Sequence, residues 1–230
     1  MKHLLYKEFR LSIPLFVFFY LSFALMLLIP SYPYLVAFFF ICNASMYIFT
    51  QGQANGDLLF STMLPVRKRD VVRARYLSIM LLQMLFLLLC TGVIFLHQYL
   101  PPEGLPDNPA GWDAGLMLLG AGLGVMGLYN LIGIPAYFRG EAKIGRIMLI
   151  TMLGLFSYIA VMEGIAIAAA QARAYVPLFD WIETHLDCFP ASPAAWAAQS
   201  IALSIGAAVY ALLTLLGYRR AAKIFERVAL

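Results

Sequence analysis

The chain is 230 residues long, 63% hydrophobic and only 12% charged, with a formal net charge of +4. Soluble domains carry about 25% charged residues, so half that amount excludes an ordinary soluble enzyme. A membrane-spanning helix takes about 20 residues, which leaves room for roughly six spans with short connections and no appended soluble catalytic domain.

In chain order, residues 2–11 form an amphipathic segment: His3, Lys7 and Arg10 share one helical stripe, with Leu5 and Phe9 opposite. This pattern predicts a short helix in the membrane interface, the alternative being a plain extension of the first span. Pro14 marks a bend between the two pieces. The apolar run after Arg10 is long and aromatic and has no small-x-small cleavage site, so it is read as a span and not as a secretory signal. Apolar stretches lie at roughly 12–29, 34–50, 76–97, 114–138, 147–171 and 193–217. Pro30-Ser31-Tyr32-Pro33 and Pro101-Pro102-Glu103-Gly104 separate successive spans, and Ser192-Pro193 opens the last. The predicted fold is all-α: a single polytopic membrane domain of six transmembrane helices, 1–230, with an N-terminal interface helix.

Charge gives the orientation. On this division fifteen of the sixteen Lys and Arg residues fall on one side, and only Arg173 falls on the other. The positive-inside rule then places both termini and the two basic loops in the cytoplasm, in a cell inner membrane. The opposite loops carry Glu103, Asp107, Asp180, Glu183 and Asp187, with Asp113 at the edge of the fourth span. The positive balance thus reports topology, and no nucleic-acid partner is expected.

The longest cytoplasmic segment, 52–75, is built in layers. Asn55-Gly56-Asp57 signals a turn, with Asp57 as N-cap. Leu58, Leu59, Phe60, Met63 and Leu64 then predict a short apolar helix projecting from the bilayer, stopped at Pro65. Asp70, among Arg67, Lys68 and Arg69, starts a polar lead-in to the third span, with Arg73 and Arg75 at headgroup level. So many apolar residues need a surface, either the membrane or a cleft on a partner.

Inside the spans, Glu163 is the only well-embedded acid. Such a carboxylate suggests a path or gate, or else a packing hydrogen bond. Asn43 and Thr50, seven apart, and Gln83 are further candidates for lining a path or for bridging helices. Gly120-x-x-x-Gly124, with Gly115, Gly122, Gly127 and Gly133, predicts close helix packing in the fourth span, and Gly133 with Pro135 a bend. Residues 176–187 read as a short outer interfacial helix. Cys42 and Cys90 fall inside spans and Cys188 outside, so no disulfide framework is expected. The histidines are scattered, His-Glu-x-x-His and Gly-x-Ser-x-Gly are missing, and neither a catalytic nor a metal site is expected. There is also no Gly-x-x-x-x-Gly-Lys-Ser/Thr run, so ATP phosphates would have to be cradled by another chain.

Leu64-Pro65-Val66 followed by Val71-Val72-Arg73-Ala74-Arg75-Tyr76, preceded by Asp57-Leu58-Leu59 and by Lys7-Glu8-Phe9, resembles ABC-2 type transporter permeases. The likeness is to the small six-span group that includes phenol-soluble modulin and related peptide exporters. The resemblance implies a coupling helix at 57–64, continued by 64–69, that docks on a separate ATPase. Its residues would be Asp57, Leu58, Leu59, Phe60, Met63, Leu64, Pro65, Arg67 and Arg69; Arg67 stands where the family commonly has a small polar residue. It further implies two permease copies, identical or not, and two ATPase subunits that hold ATP and Mg, with no cofactor on this chain. The expected function is export of a hydrophobic or amphipathic substrate, such as a peptide. The competing readings are a non-transporting scaffold or peptide-immunity protein, and an ion-coupled transporter using Glu163.

Overall fold

The computed structural model describes residues 2–29, 31–63, 65–97, 108, 111–139, 144–172, 174–187 and 192–227. Most of these are helical, with no strand among them. α1 (Lys2–Lys7) runs into a π-helical turn (Glu8–Ser12), and α2 (Phe16–Phe19) continues as a 3₁₀ helix (Tyr20–Leu28). Then come α3 (Leu35–Ala54), α4 (Asp57–Met63), α5 (Lys68–His97), α6 (Leu116–Tyr137), α7 (Ile144–Ala172), α8 (Pro177–His185) and α9 (Pro193–Arg227). Among the described residues, α3, α5, α6, α7 and α9 are long and apolar enough to cross a membrane.

The expected first span departs from a continuous helix. Ile13 is extended (φ −98°, ψ 105°) ahead of Pro14, which has no N–H to give a helical ladder. Beyond that break the apolar helix covers only Phe16–Leu28. Most of it is 3₁₀, whose steeper rise carries the segment about 24 Å, short of the ~30 Å hydrocarbon core. The Ser22 hydroxyl donates to the Phe19 carbonyl at 2.7 Å, competing with the α-ladder there. Aromatic packing supports the tighter turn: Phe23 stacks on Phe40 with centroids 4.4 Å apart, and Tyr20 packs against Tyr47 at 5.9 Å.

Two further elements outrun their expected limits. α5 begins at Lys68, so the cytoplasmic segment is two helices and a short link, with Asp70 in the first turn of α5. α9 continues through Arg219, Arg220 and Lys223 as one 35-residue helix, about 52 Å long. The short outer helix α8 forms as expected.

α6 is the hub. Its glycines seat side chains or backbone from three neighbours, as close packing in a membrane requires. Gly122 faces the Phe38 ring of α3, and Gly124 the Tyr158 ring of α7. A Cβ at Gly120 would lie 2.9 Å from the Ala202 carbonyl oxygen on α9, and Gly206 abuts the Gly120 backbone in return. A buried polar node pins the same helices deeper in. Gln83 (α5) and Asn130 (α6) exchange amide hydrogen bonds at 3.0 Å. Asn130 also donates to Thr214 at 3.0 Å, Tyr210 donates to Gln83 at 2.9 Å, and Tyr76 donates to the Asn130 carbonyl at 2.9 Å. The outer faces carry exposed Leu81, Leu88, Leu153, Ile201, Ile205 and Leu212, the side chains that lipid would cover.

Candidate functional site: an ionic cluster under a short exposed helix

α4 is set off from α3 by a turn that only a glycine adopts without strain. Gly56 has φ +62°, and its carbonyl accepts the Phe60 N–H at 3.0 Å. Gly56 therefore occupies the cap position and Asp57 is the first helical residue, not the N-cap that the sequence suggested. The Asp57 carboxylate is used sideways. It pairs with Lys7 from the N-terminal helix and with Arg75 from α5.

These contacts are parts of one cluster. Arg75 is 1% exposed, and its Nε lies 2.8 Å from Glu8 Oε2. The guanidinium sits 5.9 Å from the centre of the Tyr137 ring, at the end of α6. Lys7 Nζ donates to Ser61 Oγ on α4 at 2.6 Å, lies 3.8 Å from Glu8 Oε1, and stands 5.8 Å from the Phe60 ring centre. Two acids and two bases thus neutralise one another in a dry site. Removing one partner from such a group costs far more than the intact pair contributes. Gly52 makes room for it, since a Cβ there would meet the Tyr137 hydroxyl at 2.8 Å.

Two side chains from the expected polar layers turn inward here. Arg75 is buried in the protein, paired with Glu8 and Asp57. Lys7 leaves the predicted polar stripe and points inward, because Asp57 and Ser61 supply partners there; Arg10 stays outward against the Tyr6 hydroxyl at 2.6 Å. A separate exposed pair joins the start of α5 to the end of α9, through Arg69 and Glu226 (Nη2 to Oε2 3.2 Å).

With its polar side engaged, α4 presents apolar side chains outward: Phe60 is 52% exposed and Met63 74%. Pro65, Val66 and Arg67 are also exposed. The backbone of Leu58 and Leu59 belongs to α4, whereas their side chains, and all of Leu64, lie outside the described residues.

The polar residues of the spans do not converge. Leu35 to Thr50 covers about 22 Å along α3, and Glu163 is at the Leu35 end. Its Oε1 accepts the Leu35 N–H at 3.0 Å and its Oε2 accepts the Trp112 N–H at 3.1 Å. The Trp112 indole N–H donates to the Met162 carbonyl at 2.9 Å, so loop and helix are stitched twice. Thr50 donates to its own helix at Met46 (3.1 Å), Asn43 is half-buried on α3 with an unpartnered Oδ1, and Gln83 belongs to the polar node.

Lys7, Glu8, Ser61 and Arg75 were missed as a group by sequence reasoning. One signal was present: Glu8 and Asp57 are among the few acids on the cation-rich side, and an acid there finds a basic partner.

A family model described as "ABC-2 family transporter protein" matches residues 3–226. The chain belongs to the ABC-2 transporter family. This ABC-2 protein is accordingly a multi-pass membrane protein of the permease type. No curated protein and no solved structure matches it.

Proposed function

We propose that this ABC-2 protein is the permease subunit of an ATP-driven exporter, coupled to a separate ATPase through α4. The observation that carries the reading is the cluster of Lys7, Glu8, Asp57 and Arg75. A helix that displays Phe60 and Met63 to the outside is fastened at its base to α1 and to α5. A push on α4 from a docked ATPase moves Asp57, and Asp57 drags both helices because its charge has no other partner nearby. ATP and Mg belong to the ATPase. This chain supplies the docking surface, the rigid link and the spans that move.

The cation count orients α4 and both termini toward the cytoplasm, and the Phe16–Leu28 segment, about 6 Å short of the hydrocarbon thickness, makes the sixth crossing with local bilayer thinning. Two copies of the chain form the path, together with two ATPase subunits, and the cargo is hydrophobic or amphipathic. The ion-coupled alternative needs a carboxyl free to exchange protons. Glu163, with both oxygens engaged by backbone N–H groups, reads better as an anchor that holds the start of α3 to the Trp112 loop.

The test is co-purification with the ATPase and its rate of ATP hydrolysis. Phe60→Asp with Met63→Asp is expected to abolish association and stimulation while leaving the fold intact, since both side chains already face outward. Unchanged association would overturn the docking assignment.

A further inference from the structure

A cavity of about 660 Å³ opens between α6, α7 and α9, at the cation-rich end of the bundle. Its mouth is set with Arg139 after α6, Arg146 on α7, and Arg220 and Lys223 on α9. No described residue lining it is acidic, and none of these four cations makes an ion pair among the described residues. The positive-inside rule accounts for cations near this level, but not for four of them converging on a concave site. The walls below the mouth are apolar: Leu131, Ile132, Pro135, Ile147, Ile150 and Ile224.

A second observation points to a ligand. Thr151 lines the cavity about 7.5 Å along α7 from Arg146. It is fully buried, and its hydroxyl has no hydrogen-bond partner. A buried hydroxyl without a partner is costly, and helix threonines ordinarily satisfy themselves on their own backbone, as Thr50 and Thr91 do here.

Cationic mouth, polar shelf and greasy wall match one kind of molecule. We propose that this cavity binds an anionic phospholipid of the adjacent leaflet. Its phosphate sits among Arg139, Arg146, Arg220 and Lys223, its glycerol-ester region reaches Thr151, and its acyl chains lie along the isoleucines. Basic pockets between spans take such headgroups because the charge is met at the polar boundary while the tails stay in apolar surroundings. The bound lipid would tie α7 to α9 where the described contacts between them are sparse, whether or not the chain couples to an ATPase.

The test is native mass spectrometry of the full chain in mild detergent, titrated with phosphatidylglycerol and, separately, phosphatidylcholine. One phosphatidylglycerol per chain is expected to be retained in preference to phosphatidylcholine. Arg146→Gln with Arg220→Gln should weaken it roughly thirtyfold, by the ordinary contribution of two cations at an anionic headgroup. Thr151→Val, nearly isosteric, should weaken it without lowering the unfolding temperature of the protein. Arg10→Gln with Arg73→Gln, the same charge change at exposed cations on elements that do not line the cavity, should have roughly a threefold effect or less, because solvent screens charges outside the site. Equal loss in that control pair would overturn the proposal in favour of diffuse attraction. Equal retention of phosphatidylcholine, or displacement by inorganic phosphate at matched concentration, would overturn it as well, the latter pointing to a free-anion site.

Discussion

Arg75 is where the local chemistry is least forgiving. It is buried between Glu8, Asp57 and the Tyr137 ring, so Arg75→Gln leaves two carboxylates with Lys7 as their one remaining cation among the described residues. The expected cost is about 3–5 kcal/mol, read as a lowered unfolding temperature of the full chain in detergent. Asp57→Asn, which keeps the shape and removes one charge, should cost less on its own. Combined with Arg75→Gln it should cost less than the sum of the two, because the second change removes a group already stranded. Glu163 offers a parallel case. Glu163→Ala orphans the Leu35 and Trp112 N–H groups, a loss of about 2–6 kcal/mol by the same measurement. Gly111 lies so close to that carboxylate that any side chain there would displace it, so Gly111→Ala should mimic part of the defect.

Asp187 gives a residue-scale prediction with a sign. Burial raises its carboxyl to about 7; the Asp113 N–H donated to it at 2.7 Å pulls the other way, while the negative charges of Asp113, Glu183 and Glu163 reinforce the rise. The folded protein therefore holds a proton that the unfolded chain releases near pH 4. Stability from this group is full below about pH 4 and is lost as the pH rises toward 7. In Asp187→Asn, which retains an oxygen for the Asp113 N–H, the fall in unfolding temperature between pH 4 and 7 should be smaller than in the unaltered protein. An identical slope would contradict the assignment.

Among elements, α6 and α9 depend on small residues at their crossing. Gly206 faces the Gly120 backbone and not a flexible side chain, so Gly206→Leu has no atom to push aside except the helix itself. Overpacking of this kind costs at least about 1–3 kcal/mol, and it should separate the helices enough to break the Gln83–Asn130–Thr214 node. The glycine spacing of α6 was legible in the sequence, and so was the existence of nearly every helix, because apolar length and turn residues are local properties. The 3₁₀ character of Tyr20–Leu28 was not, since it depends on which rings Phe23 and Tyr20 meet on α3. The ionic cluster was half legible. Asp57 and its apolar helix stood out by composition, whereas Lys7, Glu8 and Arg75 join them only once α1, α4 and α5 meet. Glu163 was legible as unusual but not as an anchor. Its partners are backbone N–H groups 128 and 51 residues away, and a backbone donor leaves no mark in a sequence.

At the scale of the whole molecule, charge divides the work. The lipid-facing surfaces of α5, α7 and α9 are apolar, the core is held by glycine contacts and one neutral polar node, and ionic contacts gather at the cation-rich end. There, among the described residues, α4 is a short helix both fastened by buried charge and apolar on its outer side. A lever of this form needs a rigid base and a free face, and a change at the base should uncouple without undocking. The direct measurement is a spin-label distance between Leu88 on α5 and Leu153 on α7, both exposed positions, with the partner ATPase bound and with or without ATP. Coupling through the cluster predicts an ATP-dependent change in that distance, lost in Asp57→Asn with Arg75→Gln while the ATPase stays bound and hydrolyses ATP. An undiminished distance change in that double variant would contradict it.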